Sequence, residues 1–353
     1  MPHLRNRFSL FALATTLGVS SGVAIAQDVA SVVGVVSYPV GENRMVSVGV
    51  PLMRPAVVAG VVESVDSGGI TLVNANGVRL AIDGALQPGS SYYVEVLAQR
   101  DGLATDFIGH RIEIDERATS SLASGKAVVE ESALNTLSKS NIASLVDHRV
   151  VVRPHWTLAT VFGAGTTAGL NSATAPAEAD QVYFSTAKGL SVYYFRKGAT
   201  PQWRSLVTGS TSQDNAIIPP GVGVFFKRQK NGATFTVAGE VRSGRFVRSP
   251  VSSGQLLVSA FPVAASLADL RLVAGAGLTA GVSVAAADQV FRWDGAAFES
   301  FFLKSGTAPA WQKASLDGVD YTASKLLEAS AAILVRLKSS VLSPLVQTAP
   351  FSL

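Results

Sequence analysis

One stretch of this chain is written twice. Residues 179–203, ADQVYFSTAKGLSVYYFRKGATPQW, align without a gap on residues 287–311, ADQVFRWDGAAFESFFLKSGTAPAW, at an offset of 108. Both open on Ala-Asp-Gln-Val and close on Pro-x-Trp. Two such blocks are expected to fold alike, so what varies between them shows what they hold. Tyr183 corresponds to Phe291, Tyr193 and Tyr194 to Phe301 and Phe302, and Phe195 to Leu303. The apolar class persists while the phenolic hydroxyls vanish, which a core tolerates and a reacting centre does not. Trp203 and Trp311 are retained, and each can bury about 200 Å², a gross ~5 kcal/mol at ~25 cal/mol/Å². The repeat therefore predicts packing, with both tryptophans buried at equivalent places.

The likeness extends on both sides. TLATVFGAGTTAGL (157–170) echoes SLADLRLVAGAGLTAGV (266–282), each with a Thr or Ser placed to cap a short helix. IIPPGVGVFFKR (217–228) matches KLLEASAAILVR (325–336), still at 108, and YPVGENRMVSVGVPL (38–52) aligns on SPVSSGQLLVSAFPV (249–263) at 211. Short runs rich in Val, Ile, Phe and Tyr alternate with Gly, Pro, Asn and Ser turns, the pattern of sandwiches and barrels. The expected fold class is all-β: tandem β-sandwich or barrel-like modules with a few short helices, the longest at 129–147. The expected division is a signal peptide at 1–26, a divergent β module at 27–147, and two β repeat modules at 148–249 and 250–353.

The N-terminus carries Arg5 and Arg7 before the apolar run SLFALATTLGVSSGVAIA, and Ala24-Ile25-Ala26 fits a small-residue cleavage site. Export to the periplasm, the outer surface or the medium is expected. Cleavage leaves 27 Lys and Arg against 25 Asp and Glu, too even a balance for a nucleic-acid footprint. The densest basic cluster, Arg242, Arg245 and Arg248 in VRSGRFVRSP, reads as a solvated connector between modules. Cysteine is absent, so neither disulfides nor thiolate metal sites are available. No later segment has the length and hydropathy of a transmembrane anchor.

Several motifs invite a chemical reading. VDSGG (65–69) has the aspartic-protease form, but no second such loop occurs, and VVESVDSGGITLV reads as a hairpin. GVSSG (18–22) has the hydrolase-elbow spacing but lies inside the signal peptide. GAGTTAG and GAGLTAG lack the spacing and following lysine of a phosphate loop, so they read as turns and no cofactor is expected. His110 reads as a partly buried structural residue. His148 and His155 are seven apart along a strand and so face opposite ways. Asp180 and Asp288 are polar and retained: either a loop device accepting backbone N–H bonds, or a possible ligand contact. Trp293 stands where the other copy has Ser185, in a turn: either it packs at a core or edge, or it is the third candidate contact.

The signal peptide, RPHWTLATVFG (153–163), the twin ADQV blocks closing on Pro-x-Trp, and GVFFKR together resemble a family of exported, repeat-containing β-rich proteins of Verrucomicrobia-like bacteria. That resemblance implies export and a β-rich repeat and carries over no catalytic residue. The chain departs from the sharper pattern where LLEASAA replaces the PPG turn. The first functional expectation is a non-catalytic structural, adhesive or surface-binding protein, its partner a cell-envelope or extracellular glycan or protein. The alternative is a secreted hydrolase of polysaccharide or peptide. It would need two carboxylates facing an open cleft at ~5–9.5 Å, drawn from Asp66, Asp180 or Asp288.

Overall fold

The computed structural model describes residues 32–351, apart from 68, 99–105, 116–117, 120–125, 187–188, 210, 316 and 340. The signal peptide expected at 1–26 lies outside the described residues. The chain is all-β, and most of its strands lie in three larger antiparallel sheets.

A six-stranded sheet runs in the order Arg111–Ile114, Tyr92–Ala98, Arg149–Pro154, Val58–Asp66, Gly69–Val73, Lys126–Ala127. VDSGG is the hairpin turn between Val58–Asp66 and Gly69–Val73. Gly69 has φ 129°, and a Cβ there would strike the Ala127 carbonyl, so the turn needs glycine. Alternation sends Val62, Ile70, Leu72, Val94, Val96, Ile112, Val150 and Val152 into one core. Segment 129–147 is helical only over Lys139–Ile142 and a 3-10 turn at Ala143–Leu145. Its polar side chains are engaged elsewhere: Asn135 Oδ1 accepts from Glu113 N–H and Thr136 Oγ1 from Arg111 N–H, each at 2.7 Å. They cover a sheet edge in place of building a helix.

The other two large sheets share one strand order. The middle sheet runs Gln202–Ser205, Gly189–Arg196, Gln181–Thr186, Gly223–Lys227, Met45–Gly49. The C-terminal sheet runs Ala310–Lys313, Phe298–Lys304, Gln289–Trp293, Ala332–Arg336, Leu256–Val258. Gln181 pairs with Tyr194 as Gln289 pairs with Phe302, and Phe195 with Trp203 as Leu303 with Trp311. Both tryptophans are fully buried, and each indole N–H donates to a carbonyl of the preceding loop, Gly163 or Leu272. Thr157 caps the helix Leu158–Phe162 through a reciprocal bond with Thr160. Ser266 and Asp269 make the same exchange, but only a turn follows.

The sheets partition the chain at other points than 147/148. Met45–Gly49 completes the middle sheet, and Val33–Val40 pairs along its whole length with Ala233–Val241. Arg149–Pro154 belongs to the six-stranded sheet and does not lead the middle one. The six-stranded unit, 58–154, is thus inserted between Leu52–Met53 and Trp156–Thr157 of the middle module. Two sequence registers also shift. Ser47 pairs with Phe225 and Leu256 with Leu334, so the leading strands correspond at 209, not 211. A two-residue slip keeps every side chain on its face, so alternation does not distinguish the two registers. The last strands correspond at 109, since Gln181 pairs with Lys227 and Gln289 with Arg336. That one-residue step puts Leu337, not Arg336, at the place of Arg228.

The middle and C-terminal sheets meet at a glycine pair. Gly49 lies opposite Gly223, and Val258 opposite Ala332. A Cβ on Gly49 would overlap Val258, and one on Gly223 would stand 2.6 Å from Ala332 Cβ. The absent side chains let the two strand pairs touch, and Phe225, Leu256, Met45, Tyr183 and Leu334 close around them.

Candidate functional site

Asp180 and Asp288 are fully buried, each at the mouth of a central strand. Asp180 accepts from the N–H groups of Asn171 (2.8 Å) and Gln229 (2.9 Å). Asp288 accepts from those of Thr279 (2.7 Å) and Lys338 (2.5 Å). Their neighbours Gln181 and Gln289 bond the carbonyls of Pro176 and Val284 in the same manner. These carboxylates tie loops to strands, and their burial removes them as ligand contacts. The copies differ in charge balance. Arg228 donates to Asp180 at 2.5 Å and also to the carbonyls of Gly169 and Asn231, whereas Leu337 stands in its place beside Asp288. Burial pushes the Asp180 carboxyl above its ordinary range, and the backbone donors and Arg228 pull it back. Arg228→Leu, which copies the other module, is expected to cost about 1–3 kcal/mol in urea unfolding. A cost below about 0.5 kcal/mol would mean that two backbone donors suffice.

Trp293 is half-buried and is not a solvent platform. Its indole N–H donates 2.8 Å to the Met45 carbonyl of the middle module, and its ring packs edge-on against Phe225 and Phe298. It serves the seam between modules, which is why the corresponding Ser185 is no aromatic: each copy presents a different face to the other. Ser185 Oγ donates across the same seam to the Gly254 carbonyl.

The three acids that a hydrolase would need do not meet. Asp66 sits at the hairpin end of the six-stranded sheet, 2.5 Å from Lys126 Nζ, while Asp180 and Asp288 lie in two other modules. His110 is half-buried, its Nδ1 2.9 Å from the Thr136 carbonyl. Burial pushes its imidazole below the ordinary range, Thr136 opposes this and Arg111 adds to it. His148 and His155 do face opposite ways, one against Phe107 in the core and the other against Tyr93.

The chemistry that sequence reasoning missed lies on the back of the six-stranded sheet. Alternation places Tyr93, Glu95, Arg111, Glu113 and Arg153 there, and all five are buried beneath the connector that follows Val241. Glu95 receives Arg153 Nε at 3.1 Å and Arg242 Nη1 on its other oxygen. Arg153 also reaches Glu240 (2.5 Å), and Glu113 holds His155 Nε2 at 2.7 Å. Arg248 donates to the carbonyls of Gly221 and Val258. The connector read as solvated therefore buries Arg242 and Arg248, and only Arg245 reaches water, paired with Asp106. Burial lowers the guanidinium pKa values of Arg111 and Arg242 to about 10 and that of Arg248 to about 9. The spacing of three in VRSGRFVRSP could not show this, because it depends on which sheet covers the connector.

An open cleft lies between the connector and the C-terminal module. Arg245, Arg271, Gly275, Gly277, Ser343 and Leu345 line it. Arg271 is exposed, has φ 61°, and donates its Nε to the Val346 carbonyl. Its counterpart in the middle module is Phe162, stacked on Phe226 at 4.9 Å beneath the strand that carries Phe235. There the eight-residue pairing of Val33–Val40 with Ala233–Val241 roofs the site. In the C-terminal module the corresponding ladder is broken into two short pairs, Phe246–Val247 with Val346–Gln347 and Val251–Ser252 with Val341–Leu342, and the exposed position carries an arginine.

Comparison of the chain with protein-family models, with curated proteins and with solved structures finds no match.

Proposed function

We propose that the chain is an exported, non-catalytic protein built from an internal β repeat, with a surface-binding role toward anionic glycan. One observation carries this reading: the polar residues kept in both copies, Asp180 with Gln181 and Asp288 with Gln289, are buried and repeat the same bonds to the backbone of the fold. The duplicated part of the chain thus behaves as scaffold. Recognition belongs where the copies diverge, and the divergence that exposes a cation is Phe162 to Arg271. Arg271, beside the Asp106-paired Arg245 and over a glycine-bearing loop, suits carboxylated or sulfated sugars, whose anionic groups take charge-assisted hydrogen bonds. The N-terminal sequence and the lack of cysteine support the exported setting.

The test is binding of the mature protein to carboxylated, sulfated and neutral polysaccharides. Arg271→Ala is expected to weaken binding to the anionic polymers about tenfold or more, with the melting temperature unchanged. Equal affinity for neutral polymers, or an unaltered affinity in the variant, would remove the cleft from the reading.

A further inference from the structure

Phe246 is buried in the connector, and three guanidiniums surround its ring. The Cζ atoms of Arg111, Arg242 and Arg248 stand 4.4, 5.0 and 5.5 Å from its centroid. All three side chains are buried, and each keeps one nitrogen without a partner among the described residues: Arg111 Nη1, Arg242 Nε and Arg248 Nε. Among the described residues the buried cations of this junction are Arg111, Arg153, Arg242 and Arg248. Facing them are Glu95, Glu113 and Glu240, one charge fewer. Neither Arg111 nor Arg248 makes an ion pair among the described residues, and of the two only Arg111 has the field of a nearby acid, Glu113. The donors of Arg248 go to carbonyl oxygens alone, and the charge nearest to it in effect is the like charge of Arg111.

A guanidinium stays protonated near neutrality, so it does not relieve the imbalance by losing a proton. A buried cation without a counter-charge is strongly unfavourable. Beside Phe246 lies a small, partly open cavity of about 20 Å³, lined by Arg242, Tyr93 and Gly221 and otherwise by apolar groups such as Pro154, Trp156 and Ala260. That is room for a monatomic ion or a water. We propose that this junction binds a small monovalent inorganic anion of the chloride class, held beside Phe246 by the unpaired guanidinium N–H of Arg242 and balancing the excess charge that Arg248 brings. The ion would lock the inserted six-stranded unit, the connector and the C-terminal module together, since each contributes to the junction.

The test uses the mature full-length chain. Its melting temperature is followed as sodium chloride replaces sodium gluconate at constant ionic strength. A saturating rise of about 3 °C or more by about 200 mM is expected, with bromide able to replace chloride. Arg248→Met, which keeps the bulk and removes the charge, is expected to lose the rise. A melting temperature indifferent to chloride, or a full rise in the variant, would overturn the proposal. Crystals grown in bromide decide independently of whether the variant folds. An anomalous peak within hydrogen-bonding reach of Arg242 Nε supports the site, and a water with no anomalous signal there removes it.

Discussion

Glu95→Ala is expected to lower the unfolding free energy by about 3–5 kcal/mol, the usual cost of breaking a buried ion pair from one side. Glu95 is fully buried, and its two oxygens serve two different arginines, Arg153 and Arg242. Removing it leaves both cations in an interior that already holds more positive than negative charge. The cost is then not the worth of the two bonds but the desolvation of Arg242, left without an anion, and of Arg153, left with Glu240 alone. Glu63→Ala is the matched control, because its pair with Arg79 is exposed and should be worth no more than about 1 kcal/mol. Urea unfolding of the two variants checks the contrast. Similar small losses in both would show that water reaches the junction and screens it.

The strands were legible because each needs only its own residues: runs such as SYYVEVLA and GVFFKR declare alternation and β-branching locally. Both tryptophans were legible for the same reason, since large side chains kept between copies must fill equivalent cores. What the sequence hid was partnership. Met45–Gly49 reads as a strand, but nothing in it says that its partner is Gly223–Lys227, on the far side of an inserted sheet. The dual face of Arg111–Ile114 was hidden likewise. Ile112 and Ile114 point into a core, as alternation requires, yet Arg111 and Glu113 point into a second buried layer and not into water. Polar residues on the back of a strand normally mean solvent, and here they mean a neighbour with opposite charges. The partner of Trp293 was hidden in the same way: packing was legible as one of its two readings, but its hydrogen-bond acceptor, Met45, lies outside its own module.

Trp203→Ala and Trp311→Ala are each expected to cost about 3–5 kcal/mol, the range for truncating a fully buried large aromatic. Both lose the ring's burial, leave a cavity, and orphan a carbonyl, Gly163 or Leu272, that the indole N–H had satisfied. Trp203 also loses its contacts with Phe162 and Phe195. The two residues belong to separate apolar clusters with no shared member, so their direct costs should add in the double variant. Calorimetry of the single variants then reads how far the modules depend on each other. The seam joins them through Val258 and Ala332 against Gly49 and Gly223, and Gly49 N–H also donates 2.8 Å to the Ser330 carbonyl. Because the middle module's fifth strand is part of that seam, loosening the Trp203 core loosens the surface on which the C-terminal module rests. Trp203→Ala should therefore lower the melting of both modules together. A residual transition at the wild-type temperature would show instead that the C-terminal sheet stands without its neighbour.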